Sequence, residues 1–168
     1  VLDPATQELR QLWHDRRETR VYTRVGSIWH SNGKDVILLS DLADRYGLYA
    51  LSLEAPTPRL LTNPAFDVTG GPLIAANGAI FYASNEASPY EQHVFRTDLT
   101  GRRATALTRL PGTARPYPSP DGTKVALLHS DDVTPTELYL IDDLNGGRER
   151  RITRSPPPEF ERVSWASV

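Results

Sequence analysis

Three stretches of this chain are copies of one another. The runs DVILLSD (35–41), AIFYASN (79–85) and KVALLHSD (124–131) are apolar and β-rich, and each closes on serine followed by Asp or Asn. Their serines, Ser40, Ser84 and Ser130, are spaced by 44 and 46 residues, an alignment that sets His129 beside Leu39 and Ala83. Before the runs stand Asn32-Gly33, Asn77-Gly78 and Asp121-Gly122, spaced by 45 and 44. Such dipeptides suit two-residue hairpin turns, in which both central residues take positive φ. After the runs, GLYALSL (47–53), HVFRTDL (93–99) and ELYLIDD (137–143) place Tyr49, Phe95 and Tyr139 at spacings of 46 and 44. Each copy then closes on Leu61-Thr62, Leu107-Thr108 or Ile152-Thr153.

One copy therefore reads as four short antiparallel strands in roughly 45 residues, the size of a β-propeller blade. Helical repeats of this period need apolar residues at i, i+3 and i+4, and no window sustains that pattern. The 14 prolines are expected between the strand runs rather than inside them. The fold class that follows is all-β, a β-propeller of four-stranded antiparallel blades, here an incomplete ring, since propellers typically close with 4 to 8 blades. Residues 1–12 are expected to end a preceding blade. Residues 13–62 form a blade with a long entry loop, followed by blades at 63–108 and 109–153. Residues 154–168 are expected to be a strand or linker leading toward a further domain.

A net charge of −2 gives no electrostatic reason to expect nucleic acid or an anionic membrane as partner. Lys34 and Lys124 are the only lysines beside many arginines, which reads as coding bias rather than a basic patch. With no cysteine, disulfides and thiolate metal sites are excluded. No apolar run approaches the ~18 residues of a membrane span. The sequence begins at Val1 and contains no methionine, which suggests an internal cut or a processed end. The compartment stays open between a bacterial-type cytoplasm and periplasm.

The segments YASNEASPYEQHVFRTDLTG (82–101), YPSPDGTKVALLHSDDVTPTELYLID (117–142) and VLDPATQELRQLWHD (1–15) resemble the propeller of dipeptidyl peptidase IV and its relatives, the prolyl oligopeptidase family of serine peptidases. In order they resemble the last blades before that family's α/β-hydrolase domain. The resemblance implies a propeller that gates and positions a peptide substrate. The Ser-His-Asp triad would lie in a domain outside this chain, expected soon after Val168. It implies as partners that hydrolase domain and the remaining blades of the same protein, and it is compatible with a homo-oligomer. It implies no cofactor. This sequence holds no G-x-S-x-G elbow and no Glu-Glu pair, so neither the triad nor the family's substrate-amine glutamates carry over. The fragment alone is not expected to be an enzyme. Two alternatives stand beside this reading: a non-catalytic TolB-like interaction propeller, and, less supported, a metal-dependent polysaccharide lyase propeller.

Ser119, Asp121 and His129 lie close enough in sequence to suggest a triad. Aligned with its sister copies, however, Ser119-Pro120-Asp121-Gly122 is a corner between the first and second strands. His14, His30, His93 and His129 match no ligand spacing. Loops vary between copies, so function is expected there. Two loop classes open on one face: 41–46, 85–92 and 131–136 between second and third strands, and 13–27, 63–70 and 109–113 between blades. In the family this face looks toward the hydrolase domain, and the stretch matching 13–27 offers an aromatic and an arginine to the substrate cavity. Tyr22 and Arg24 are the expected equivalents, and Glu86 and Tyr90 are further substrate-facing candidates.

Overall fold

A computed structural model of the chain describes residues 1–14 and 26–163. Among these, twelve strands form three antiparallel sheets of four, each sheet a blade. The first holds β1 (Gly26–Trp29), β2 (Asp35–Ser40), β3 (Gly47–Ser52) and β4 (Arg59–Leu60). The second holds β5 (Val68–Ile74), β6 (Ile80–Ser84), β7 (His93–Thr97) and β8 (Thr105–Ala106). The third holds β9 (Thr113–Pro118), β10 (Val125–Ser130), β11 (Glu137–Ile141) and β12 (Arg150–Arg151). Strand order follows chain order in every blade. Residues 1–10 form a small hairpin with Leu2 opposite Leu9, and a single 3-10 turn lies at Phe160–Arg162.

Strand pairing corrects the sequence alignment by one residue in the third blade. Leu38 pairs with Tyr49, Tyr82 with Phe95, and Leu127 with Tyr139. Counting from these pairs, His129 is the equivalent of Ser40 and Ser84, not of Leu39 and Ala83. The packing agrees: Val125 and Leu127 are buried against the second blade, and His129 on the same face is buried too. The recurring Ser-Asp/Asn pattern misled because a strand repeats every two residues, and a shift of one moves every side chain to the opposite face.

Two further expectations are corrected. Asn32, Asn77 and Asp121 do not take positive φ; only Gly33, Gly78 and Gly122 do, at 68°, 85° and 69°. The Asn or Asp side chain instead accepts the amide two residues on, from Lys34 (2.9 Å), Ala79 (3.0 Å) and Thr123 (3.1 Å). That Asx turn needs only the glycine to be left-handed. Prolines also lie inside strands: Pro72 in β5, Pro116 and Pro118 in β9. Both are inner edge strands. The Ala114 N–H points away from β10, to the Gln92 carbonyl at 2.9 Å. Alternation sends the amides of positions 116 and 118 the same way, so proline there removes exposed donors without breaking a ladder bond.

The core lies between blades. Ile37, Leu39, Leu48 and Leu61 of the first pack on Val68, Ile80, Tyr82 and Phe95 of the second. Phe81, Val94 and Leu107 of the second pack on Val125, Leu127, Tyr139 and Ile141 of the third. Leu12 and Trp13 cover Val36, Leu38, Tyr49 and Leu51. Phe95 and Tyr139 on the third strands are thus inter-blade packing, whereas Tyr49 packs within its own blade under Leu12 and Trp13.

The threonines that end the three copies share one hydrogen-bond pattern. Thr62, Thr108 and Thr153 accept a hydrogen bond through Oγ1 from the third-strand amides of Leu48 (3.2 Å), Val94 (2.9 Å) and Leu138 (2.9 Å). The fourth strands are only two residues long. The side chain therefore continues the ladder where the backbone turns away.

Candidate substrate-facing loops

Loops 41–46 and 85–92 meet the inter-blade segments 61–67 and 107–112 on one face. Asp67 ties the first pair together, accepting from the Tyr46 amide and the Arg45 guanidinium, both at 2.9 Å. The Asp67 amide in turn donates to Asn85 Oδ1 at 2.9 Å. Below them runs a repeated inter-blade rung: the Val68 amide donates to the Tyr46 carbonyl (2.7 Å) and that of Ala114 to Gln92 (2.9 Å). Each loop is therefore anchored to the neighbouring blade as well as its own.

Glu86 and Tyr90 both sit on loop 85–92. Glu86 is half-buried, with Oε1 accepting from Asn63 Nδ2 at 2.9 Å. Its charge also acts inward: burial first, then Glu86, pushes the Tyr82 phenol well above its ordinary range. Tyr90 is 92 % exposed at the loop tip. The structure brings these two together on one loop but not into direct contact with each other in any hydrogen bond. Tyr22 and Arg24 lie outside the described residues.

The base of the same loop holds a buried relay. Nε2 of His93 lies 3.0 Å from Glu91 Oε2, and Nδ1 lies 3.3 Å from Thr108 Oγ1. The bond from His93 holds the Glu91 carboxyl below its usual range. Hydroxyl, imidazole and carboxylate are in line here, yet Thr108 is buried and its Oγ1 also accepts the Val94 amide. The arrangement braces the loop root and offers no exposed nucleophile.

The sequence triad does not form. Ser119 Oγ donates to Asp121 Oδ1 at 2.6 Å and accepts the Lys124 amide at 3.0 Å, a closed corner. His129 is at the other end of β10, buried, with Nε2 on the Pro111 carbonyl at 3.0 Å and its ring edge-on to Tyr139. Among the described residues, no group of three or more His, Asp or Glu side chains could hold a metal.

Sequence reasoning passed over Glu137, which is 1 % exposed. Its carboxylate accepts from Thr153 Oγ1, from the Ser155 amide (2.6 Å) and from Arg151 (3.0 Å). The Thr153 bond above all, then the Ser155 amide and Arg151, outweighs burial and holds the carboxyl down to about 2. Glu137 occupies the position of Gly47 and His93, two residues before the aromatic, and fastens the chain leaving the blade to β11. The available signal was an acid opening an apolar strand that closes against threonine. Because the folded value lies below the ordinary 4.5, the stabilisation is complete above that pH and is lost as pH falls toward 2. Glu137→Gln should flatten that acid limb in melting temperatures measured between pH 5 and 2; an unchanged slope would mean the buried carboxylate is not coupled to folding.

The chain matches the family model described as the dipeptidyl peptidase IV N-terminal region over residues 2–136. No curated protein matches it significantly. Among solved structures, TolB from Acinetobacter baumannii is similar at 19% identity and TM-score 0.59, covering 77% of this chain and 32% of that one. A puromycin hydrolase is similar at 16% identity and TM-score 0.63, covering 81% and 22%. A Mycobacterium tuberculosis puromycin-hydrolyzing peptidase gives 15% identity and TM-score 0.60, over 79% and 21%. This chain thus spans between a fifth and a third of those proteins, and at these identities they share its fold.

Proposed function

The chain belongs to the dipeptidyl peptidase IV N-terminal region family, and from that membership we propose that it is the substrate-gating and positioning part of a serine exopeptidase or oligopeptidase. The observation that carries this reading is the cross-braced loop face. Loop 85–92 presents an exposed Tyr90 and a half-buried Glu86 on a root fixed by His93, Thr108 and the neighbouring blade. A rigid scaffold that offers an aromatic and a carboxylate suits an extended peptide: the ring packs on an apolar side chain and the acid receives an amine or amide. Positioning of this kind lowers the entropic part of the barrier, while bond cleavage belongs to a Ser-His-Asp triad in a separate hydrolase domain.

The test is kinetic and uses the full-length polypeptide with a dipeptidyl chromogenic substrate. Tyr90→Ala should raise KM about fivefold, near 1 kcal/mol, and leave kcat within about twofold. Glu86→Gln should act in the same direction. The 168-residue chain alone should show no cleavage. Unchanged KM in both variants would remove these residues from the substrate face, and cleavage by the chain alone would end the reading. The likeness to TolB favours one alternative, a non-catalytic interaction propeller. In that case the full-length polypeptide has no hydrolase segment and no peptidase activity.

A further inference from the structure

We infer that the hollow between the inner strands of the second and third blades is a specificity subsite, and that it takes one uncharged aliphatic side chain of a bound peptide. The hollow has a volume of about 300 Å³. Gly70 and Gly71 of β5 and Ala83 of β6 line it from the second blade, and Ala114 and Pro116 of β9 from the third. Gln92, the last residue of loop 85–92, completes the wall. Small-ligand pockets begin at this size.

The first interface shows what fills the same place when it is closed. Register makes Ala83, opposite Val94, the equivalent of Leu39, opposite Leu48. Ala114, opposite His129, is the equivalent of Val68, opposite Ser84. Leu39 and Val68 pack in one buried cluster. Between the second and third blades both are alanine, so each wall is shortened to a methyl group. The inner strands differ as well. β1 pairs with β2 in unbroken register, whereas β5 shifts register on both sides of Gly70. A Cβ on Gly70 would meet only Ala83 Cβ within 4 Å, at 3.5 Å. What the first interface fills with its own leucine and valine, the second leaves open to a ligand side chain of that kind.

Charge and hydrogen bonding narrow the occupant further. The lining holds no Asp or Glu, and the exposed Arg115 borders it without an ion pair among the described residues. A lysine or arginine side chain would find no counter-charge there and would meet a like charge, so the subsite refuses cations. The Gln92 side chain makes no hydrogen bond among the described residues. Its amide can both donate and accept, as a peptide group requires. The Gln92 backbone is held on both sides, its amide on the Gly112 carbonyl at 3.0 Å and its carbonyl under the Ala114 amide at 2.9 Å. The side chain is therefore presented from a fixed point. Glu86 and Tyr90 stand on the same loop, so the hollow adjoins the face proposed for the peptide. This inference rests on that reading and names the side-chain class selected there.

The test uses the full-length polypeptide and the blocked peptides acetyl-Gly-Gly-X-Gly-Gly-amide, with X as Gly, Val, Leu or Lys. Calorimetry gives Kd for each. Leu and Val should bind about tenfold more tightly than Gly, and Lys no better than Gly. Ala83→Leu restores the residue of the first interface and should bring the Leu-to-Gly ratio within about twofold. Ala114→Val should do the same from the other wall, and it stands in if Ala83→Leu fails to fold. Gln92→Leu should weaken every peptide while keeping the ratio. A diazirine analogue of leucine at X then locates the contact, with crosslinks expected on tryptic peptides that hold Gly70-Gly71 or Ala114–Pro116. An unchanged ratio in both alanine variants would overturn the inference, as would crosslinks confined to other segments or no binding at all. Crosslinks at these strands in a polypeptide that hydrolyses no dipeptidyl substrate would support the subsite and end the peptidase reading. Hydrolysis without selectivity at X would keep that reading and overturn this one.

Discussion

Phe81→Ala is expected to destabilise the chain by about 3–5 kcal/mol, the usual cost of emptying an aromatic site in a closed core. Phe81 is fully buried between the second and third blades, where Val94, Leu107, Val125, Leu127 and Tyr139 surround it. Marginal stability puts a loss of that size at a large share of the total for a domain. In a stack of blades the damage falls on one interface, because each unit contacts only its neighbours. Urea unfolding should therefore show a lower midpoint and a loss of cooperativity, with the third blade opening before the first. Leu128→Ala, 37 % exposed on the third blade, should cost well under about 1 kcal/mol in the 168-residue chain. Equal losses at the two positions would contradict the inter-blade core.

The second large effect is expected at Gly112, in the segment that joins the second and third blades. Its φ is +107°, and a Cβ there would stand 2.3 Å from the Ser130 carbonyl oxygen and 2.9 Å from Asp131 Cα. Both obstacles are backbone, so no rotamer change relieves them. Gly112 also carries the link to loop 85–92, since the Gln92 amide donates to its carbonyl at 3.0 Å. Gly112→Ala combines left-handed strain with overpacking, about 1–3 kcal/mol each. Gly146→Ala is the matched control, with nothing within 4 Å of its Cβ and no positive φ. Thermal melts should separate them by several degrees or more. In the full-length polypeptide Gly112→Ala should also raise KM, because the loop that carries Tyr90 loses its anchor. A melt equal to that of Gly146→Ala would show that this connection is not held as described.

The period was readable because turn chemistry and apolar alternation are local: Asn32-Gly33 and its copies, the apolar runs and the terminal threonines each act within a few residues. His129 was misplaced by one position because the serine that follows it mimics Ser40 and Ser84, and sequence similarity cannot see which strand partner a residue faces. Pro116 and Pro118 were expected outside strands because proline lacks a donor; they are tolerated in β9 because that strand is at a sheet edge and their nitrogens point away from β10. Glu137 was passed over because its partners, Thr153, Ser155 and Arg151, are 14 to 18 residues away. Of the candidate site, Glu86 and Tyr90 were legible as loop residues, whereas the brace beneath them was not, since Thr108 comes from 15 residues beyond His93.

The sequence by itself determined the architecture: antiparallel four-stranded units of fixed length, repeated, with the variable chemistry confined to loops. Those properties follow from short-range sterics and alternation, which any copy of the unit expresses alone. Only the tertiary structure decided which face of each strand is core, which buried acid and imidazole are braced, and which pair of blades leaves a hollow between them. Those are set by register and by contact between blades, and a one-residue slip in either reverses the assignment of every side chain on the strand.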